Sequence, residues 1–282
     1  MADAAPRPPV VPATWASGQV TPRAHCVLAG NPGPMTLDGT NTWVLREPGS
    51  AECVVVDPGP LDEPHLRRVG EVVARQLPGP DGTPEPGRVA LTLLTHDHAD
   101  HAEAAARFAE LTGSPVRAVG RGHADLVEGD RLVVGGLELL VVPTPGHTAD
   151  SASFLLLADG SVLTGDTVLG RGTTVVAWPD GELAAYLTSL ERLAALAGTG
   201  EVTHILPGHG PDLPDALGAL RYYLHHRAER LEQVRGAVAA GARTPREVVE
   251  TVYADVPRSV WHAAEWSVQA QLAYLRERGE LS

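Results

Sequence analysis

The stretch LLTHDHADHAE, from Leu93 to Glu103, places three histidines and two aspartates within six consecutive positions, directly behind an apolar run. Imidazole nitrogens and carboxylate oxygens are donor atoms that suit zinc and similar first-row divalent ions. A polar loop can hold such residues without any metal, so this stretch alone does not identify a site. The interpretation depends on donors elsewhere in the chain.

Three further donors occur at comparable places, each behind an apolar run that is typical of a β-strand. His147 lies in PTPGHTADS, Asp166 lies in VLTGDTV and His209 lies in HILPGHG. Strand ends at one edge of a sheet converge, so these segments can meet around one point. A lone histidine is more often a surface or core residue, and that assignment is given to His25, His65, His123, His204 and His262.

The predicted ligand set is large enough for two ions. It consists of His96, His98, Asp100, His101, His147, Asp166 and His209. Seven side chains exceed what one tetrahedral zinc needs and suit two divalent ions that share a bridging carboxylate. Zn²⁺ is the first choice, with Mn²⁺ or Fe as alternatives. A water that bridges two such ions loses its proton near neutral pH, so metal-assisted hydrolysis is the predicted reaction class. Asp100 is also placed to orient the nucleophile or accept its proton.

The elements that must position these donors alternate between strands and short helices, with hairpins mixed in. This pattern predicts an α/β layered architecture rather than a pure parallel sheet. HCVLAG and TNTWVLRE form a predicted hairpin, and HAEAAARFAELTG is predicted as one helix. From about Pro214 the pattern changes to one long helix and then to short helices that begin near a capping Thr or Pro. The predicted units are a loose Pro/Ala-rich tail over 1–20, a catalytic domain over 21–213 and a small helical, winged-helix-like domain over 214–282.

The length of 282 residues suits one sizeable domain, with or without a small appendage. No apolar run approaches the length that crosses a bilayer, and the N-terminus lacks the pattern of a secretory signal. We therefore predict a cytoplasmic protein without a membrane partner. Cys26 and Cys53 lie in apolar surroundings and are predicted to be reduced core residues.

The formal net charge is −13, from 35 acidic and 22 basic residues. A field of this sign repels polyanions, so a broad nucleic-acid surface is disfavoured, although a local basic patch remains possible. Every basic residue is an arginine, which excludes lysine from any catalytic role. The sequence does not determine the oligomeric state.

The motifs THDHADH, PGHT, GD and PGHG occur in this order and resemble the successive motifs of the metallo-β-lactamase superfamily, over about 23–211. The resemblance implies an αββα sandwich with metals at one edge. It implies a first metal held by His96, His98 and His147, a second held by Asp100, His101 and His209, and Asp166 as the bridge. Asp57, in VVVDPG, would orient the metal loop from behind the ligands; a simple turn aspartate is the alternative.

Two further segments, NPGPMTLDGTNTWVL and LHHRAERLEQV, resemble the β-lactamase-like 2 subfamily, as does the small C-terminal helical domain. This resemblance implies that Asn41 and Thr42 lie near the metal edge. It also implies that His226, Arg227 and Arg230 approach the pocket mouth as anion anchors. A solvated charged helix face is the alternative for those three residues.

The resemblance does not identify the substrate, because relatives in the subfamily include single-strand endoribonucleases and thioesterases that release polyketides from carrier proteins. The acidic balance favours an ester, a thioester or a carrier-bound acyl group. A single-strand-specific endoribonuclease is the alternative, since a few arginines can hold a short strand. A non-hydrolytic metal-binding protein or a mononuclear iron oxygenase on the same fold is the second alternative. The complete set of seven ligands argues against both of these. The C-terminal domain is expected to cover one side of the metal pocket.

Overall fold

The computed structural model describes residues 5–78, 84–120, 124–254 and 256–281. His123 and the first four residues of the predicted tail lie outside this part of the chain. In the first half of the chain, the described residues form a seven-stranded sheet, a separate two-stranded ribbon and three helices. These elements are β1 (Gly18–Gln19), β2 (Ala24–Leu28), β3 (Asn41–Leu45), β4 (Glu52–Val56), α1 (Glu63–Val73), β5 (Gln76–Pro78), β6 (Pro84–Pro86), β7 (Arg88–Leu93), α2 (Ala99–Ala102), α3 (Ala105–Thr112), β8 (Val116–Ala118) and β9 (Ala124–Asp125).

The second half forms a five-stranded sheet followed by helices. Its elements are β10 (Arg131–Val134), β11 (Leu137–Pro143), β12 (Ala152–Leu156), β13 (Ser161–Gly165), α4 (Leu183–Gly198), β14 (His204–Pro207), α5 (Ala216–Ala239), α6 (Pro245–Val252) and α7 (Trp261–Glu277). Short 3₁₀ turns follow β12 at Leu157–Asp159 and precede α7 at Arg258–Val260.

Each sheet mixes antiparallel and parallel pairs. The first sheet has the order β1-β2-β3-β4-β7-β8-β9, in which β1 to β4 are antiparallel and β4, β7, β8 and β9 are parallel. The second has the order β10-β11-β12-β13-β14, with only the β13–β14 pair parallel. Strands β11, β13 and β14 therefore run in one direction and end at the same edge. The two sheets are joined there, because the Ala152 amide donates to the Thr95 carbonyl at 2.8 Å.

Alternation along the strands explains why the two sheets stack. In β4, Val54 and Val56 face the second sheet and contact a core that includes Phe154, whereas Cys53 and Val55 face α1 and α3. The outer face of the second sheet is covered by α4, α5 and the C-terminal helices. Successive apolar side chains along such a strand point to opposite faces, so both faces are buried. The predicted αββα sandwich is confirmed.

One predicted helix is wrong in detail. The run predicted as a single helix from His101 to Gly113 is divided into α2 and α3. The division arises because the Ala104 amide donates to the Gly59 carbonyl at 3.2 Å instead of bonding within the helix. The Gly59 amide donates in turn to the His101 carbonyl at 3.1 Å. These two contacts attach the turn that carries His101 to the loop after β4.

Several other predictions are confirmed. The long helix is α5, and α6 begins at a capping box in which Thr244 and Glu247 bond each other's backbone amides. Cys26 and Cys53 are free and buried. Among the helices in the described ranges, none has the length and apolarity that spanning a membrane requires. The cytoplasmic location stays a prediction.

Candidate metal centre

Three histidines form a first group at the edge where the strands end. His96 and His98 follow β7, and His147 lies four residues after the end of β11. The His98 Nδ1 atom lies 3.0 Å from His96 Nε2 and 3.1 Å from His147 Nε2. His96 and His147 are buried, whereas His98 is exposed. Three ring nitrogens therefore point at a common position that solvent reaches from the His98 side.

A second group lies beside the first and consists of Asp100, His101 and His209. The Asp100 Oδ2 atom lies 3.2 Å from His209 Nε2 and 3.4 Å from His101 Nε2, and the two histidine nitrogens are 3.3 Å apart. His101 and His209 are buried, and the Asp100 side chain is 28% exposed. This exposure makes Asp100 the member of the group that solvent can reach.

Asp166 lies between the two groups, directly after β13. Its Oδ1 atom is 3.4 Å from His101 Nε2, and its Oδ2 atom is 3.3 Å from His209 Nε2 and 3.7 Å from His147 Nε2. The first group together with Asp166, and the second group by itself, each have donor atoms within 4.8 Å of one another and could hold a metal ion. All seven residues predicted as ligands are brought together, and Asp166 lies within 3.7 Å of histidines of both groups. The role of each residue as a ligand stays a prediction.

Four of the histidines are held so that Nε2 faces the cluster. Their Nδ1 atoms contact the Thr95 hydroxyl for His96 (3.0 Å), the Asp57 carboxylate for His101 (2.8 Å), the Val175 carbonyl for His147 (2.7 Å) and the Gly39 carbonyl for His209 (3.1 Å). Carbonyl and carboxylate oxygens only accept, and the Thr95 hydroxyl already donates to Asp57, so each Nδ1 carries the proton. When such a ring is neutral, its Nε2 lone pair is directed at the cluster, as in metal-binding histidines.

Two observations test whether a cation fits among these donors. The Asp166 Oδ1 atom is buried and has no hydrogen-bond partner among the described residues, although a buried carboxylate oxygen is costly to leave unpaired. In addition, a Cβ atom on Gly208 would lie 2.5 Å from Asp166 Oδ1 and 2.8 Å from the His101 ring. A side chain at position 208 would therefore enter the cluster, and glycine keeps this space open. The donor set fits divalent cations.

The two groups differ in electrostatic character. Burial lowers the pKa of His147 to about 4 and holds that of His96 well below its ordinary value. Burial also opposes charge on His209, but Asp166 and Asp100 outweigh it and raise the pKa of His209 to about 9. The second group thus favours a positive charge, which a proton supplies when no metal is bound and a cation supplies when one is.

Proton release upon metal binding is the first expected consequence. His209 has a raised pKa of about 9, so it is protonated at pH 7 in the metal-free protein and must lose that proton to bind a metal. Calorimetric titration with Zn²⁺ in buffers of different ionisation enthalpy should show a release of at least about one proton per chain at pH 7. The release should decline as the pH rises through 9. A binding enthalpy that is the same in every buffer would contradict this expectation.

Asp57 supports the second group from behind. Its carboxylate accepts hydrogen bonds from the Thr95 amide (2.7 Å), the Thr95 hydroxyl (2.7 Å) and His101 Nδ1 (2.8 Å). Asp57 itself has a φ of +53°, a conformation that few non-glycine residues adopt. Thr42 stabilises that turn by donating to the Asp57 carbonyl at 2.6 Å, and it contacts His65 Nε2 at 2.8 Å. The orienting role assigned to Asp57 is consistent with these contacts and stays a prediction.

Asn41 holds the loop that carries His209. Its side-chain amide donates to the Pro207 carbonyl (2.9 Å) and to the Gly210 carbonyl (2.8 Å), and its backbone amide donates to the Gly208 carbonyl. Asn41 and Thr42 therefore act on the site through backbone contacts in loops, at the edge where the resemblance places them.

The residues predicted as anion anchors are placed differently from that expectation. Arg227 is buried and donates to the Thr174 carbonyl at 2.5 Å. Arg230 donates to the Val252 carbonyl at the end of α6 and lies over the ring of Tyr253. His226 is half-buried, with its Nδ1 atom lacking a partner among the described residues. Both arginines are engaged inside the chain, and a role in anion binding stays a prediction.

Some residues of the site were not predicted from the sequence. Thr40 donates to Asp100 Oδ2 at 2.9 Å, and Thr95 links Asp57 to His96. Thr95 directly precedes His96, so its place in THDHADH was a signal that could have been used. Gly208 carries a weaker signal, because glycine beside a ligand is also common in turns. The place of Thr40 beside Asp100 depends on chain folding and has no local signal.

Comparisons with known proteins agree with this geometry. The model of the metallo-beta-lactamase superfamily matches residues 119–209, and the model of the beta-lactamase associated winged helix domain matches residues 244–281. His96 to His101 precede the first match, so their place in the site rests on the structure and on the motif. The described residues of 214–281 form helices and a 3₁₀ turn without a strand. The predicted domain boundaries stay predictions.

The chain is also similar to whole proteins. It is 30% identical over 265 residues to a Beta-lactamase-like protein 2 homolog of Caenorhabditis elegans, over 90% of this chain and 84% of the relative. It is 31% identical over 262 residues to the atrochrysone carboxyl ACP thioesterase of Aspergillus fumigatus, over 86% of this chain and 76% of the relative. The crystal structure of a beta-lactamase domain protein from Burkholderia ambifaria shares the fold, with a TM-score of 0.78, 24% identity and coverage of 97% and 91%. The chain therefore belongs to the metallo-β-lactamase superfamily and carries its associated winged-helix domain at the C-terminal end.

Proposed function

We propose that the chain is a binuclear metal-dependent hydrolase that acts on an ester, a thioester or a carrier-bound acyl group. The observation that carries this proposal is the position of Asp166 between two complete groups of donors. One carboxylate within reach of both groups suits two cations better than one. Zn²⁺ is the proposed ion, because four of the five histidines present Nε2 lone pairs and the other donors are carboxylates.

Different residues of the site would have different roles in such a reaction. Bound divalent ions would supply a nucleophilic hydroxide at neutral pH and a Lewis acid for the substrate oxygen. Asp100 is partly exposed, and its Oδ2 atom accepts from the Thr40 hydroxyl, so we assign to it the role of orienting the attacking water or accepting its proton. The buried His96 and His147 stay neutral because burial lowers the pKa of each. They therefore remain available as donors when the solution becomes mildly acidic.

The substrate class is supported by charge and by similarity. A net charge of −13 opposes the binding of a polyanion, whereas a neutral ester or thioester is not repelled. Arg171, in the segment after β13, and Arg227 and Arg230, on α5, are bonded to groups within the chain rather than free to bind phosphates. The similarity to the Aspergillus fumigatus thioesterase supports an acyl thioester as the substrate.

The test combines metal content with turnover on one preparation. Zinc-loaded protein is analysed for metal per chain and assayed on an acyl pantetheine thioester and on a short single-stranded RNA. Asp166→Asn is the inactive comparison. Asp215→Asn is the matched control, because Asp215 caps α5 and asparagine caps equally well. Two ions per chain, with thioester turnover that only Asp166→Asn abolishes, is the expected result.

Other results would overturn the proposal in identifiable ways. RNA cleavage that Asp166→Asn abolishes, without thioester turnover, would establish the endoribonuclease. One ion per chain with oxygen uptake would establish the oxygenase. Two ions without turnover on a broad panel of esters, thioesters and RNA would establish a metal-binding protein.

A further inference from the structure

The segment between β13 and α4 passes along the metal centre without regular structure. It begins at Asp166, which is the shared carboxylate, and includes Val175, whose carbonyl accepts from His147 Nδ1 at 2.7 Å. Two donors of the cluster thus depend on the path of this one segment. An irregular segment keeps such a path only if other parts of the protein hold its backbone.

Three buried side chains from α4 and α5 hold that backbone. The Tyr186 hydroxyl donates to the Thr167 carbonyl at 2.7 Å, and the Tyr223 hydroxyl accepts from the Leu169 amide at 2.8 Å. Arg227, one helical turn after Tyr223, donates from Nη2 to the Thr174 carbonyl at 2.5 Å. We call these three side chains the loop clamp.

The last contact of the loop clamp lies next to a metal donor. Thr174, whose carbonyl Arg227 binds, directly precedes Val175, and the Thr174 hydroxyl lies 3.3 Å from His147 Nδ1. The other side of His147 is fixed by α4, because a Cβ atom on Gly146 would lie 2.3 Å from the Tyr186 backbone. A shift of the Thr174 carbonyl would therefore move the acceptor that orients the His147 ring.

The environment of Arg227 is unusual for a residue that only fills space. Arg227 is 5% exposed, and the contacts of its guanidinium in the described part of the chain are with the Thr174 carbonyl and the Tyr186 ring rather than with a carboxylate. It lies 4.9 Å from the centre of the Tyr186 ring, while its Nε atom has no partner in the same part of the chain. A buried charge of this kind costs free energy that an apolar side chain of similar length would avoid. The cation–π contact and the Thr174 carbonyl offset part of that cost.

We propose that Arg227 is a positioning residue for the first metal site, acting through the Thr174 carbonyl on the Val175–His147 hydrogen bond. Through this contact α5 connects the C-terminal helical region to the donor group of His96, His98 and His147. The inference rests on the proposed metal site but not on any particular substrate. It gives Arg227 a role different from that of an anion anchor.

Two substitutions test the proposal, Arg227→Met and Arg227→Lys. The control is Arg221→Met. Arg221 lies exposed on the same helix, so Arg221→Met repeats the chemical change without the contact. Metal affinity is measured by chelator competition with Co²⁺, and the His147 Nδ1 proton is followed by NMR of the Co²⁺-loaded protein. The affinity of the Arg227→Met variant for one of its two ions should fall at least about 10-fold, because loss of a residue that supports a metal ligand commonly has an effect of this size. Its His147 proton should exchange faster with solvent. The metal affinity and proton exchange of Arg227→Lys should lie between those of Arg227→Met and the parent protein. Both quantities should be the same in Arg221→Met as in the parent.

The outcomes separate this inference from the proposed function. A parent protein that binds fewer than two ions would overturn the binuclear site itself. A parent that binds two ions, with an Arg227→Met variant that binds both equally tightly and keeps the slow His147 proton, would overturn the role of Arg227 alone. If Arg227→Met does not fold, the lysine variant decides, because unchanged affinity and proton exchange there would overturn the role as well.

Discussion

Replacing Asp166 with asparagine is expected to reduce metal-dependent hydrolysis by about 10³-fold or more, since metal assistance contributes several kcal/mol of charge stabilisation. Burial by itself would raise the pKa of Asp166, but the neighbouring His209 and His101 hold it well below its ordinary range. The carboxylate is therefore ionised at neutral pH, and in the proposed site it would compensate the charge of both cations. Asparagine has nearly the same shape without that charge. At least one ion per chain should be lost, as measured by elemental analysis.

The thermal midpoint provides an independent check on Asp166. A ligand that binds only the folded state stabilises it in proportion to the logarithm of its concentration over the dissociation constant. Zn²⁺ should therefore raise the midpoint of the parent protein and of Asp215→Asn much more than that of Asp166→Asn. Equal shifts in all three proteins would show that Asp166 does not bind the metal.

Replacing Asp57 with asparagine is expected to have the second largest effect, on stability and on metal binding together. Three donors converge on the Asp57 carboxylate, so either orientation of an asparagine amide directs its NH₂ group at one of them. Asparagine tolerates the positive φ at this position, so backbone strain does not account for the loss. We expect the free energy of unfolding of the metal-free protein to fall by about 3 kcal/mol. Metal affinity should fall about 10- to 100-fold.

The control for Asp57 is Asp62→Asn, five residues along the chain. Asp62 is the N-cap of α1 and accepts from the His65 amide, a role that asparagine fills equally well. Denaturant unfolding of the metal-free proteins and chelator competition measure the two effects separately. A loss of stability without a loss of affinity would mean that Asp57 is only the turn aspartate that the sequence offered as an alternative.

The donors of the site could be predicted because their signals are local. His96, His98, Asp100 and His101 lie within one short motif, and His147, Asp166 and His209 each lie within four residues of the end of a recognisable apolar strand. The continuous apolar run CVVV of β4 likewise predicts an apolar strand. Such patterns depend on neighbours in the sequence, so a single chain is enough to recognise them.

Contacts between segments that are distant in the sequence could not be predicted in this way. The helix after His101 is divided by a bond between Ala104 and Gly59, and Asp100 is fixed by Thr40, which lies 60 residues away. Arg227 was expected at the pocket mouth but lies inside, where it binds a carbonyl 53 residues earlier in the chain. A motif of charged residues on a helix does not specify which way the helix turns when it packs.

The sequence by itself determined which side chains are available to bind metal, the succession along the chain of the strands that carry them and the acidic net charge of the chain. The tertiary structure decided how each donor is held. Asp57 and Val175 select the Nδ1-protonated form of His101 and His147, and Gly208 leaves the space beside Asp166 open. The physical reason is that a ring nitrogen is oriented by the acceptor on its far side, and that acceptor comes from a segment that only folding brings near.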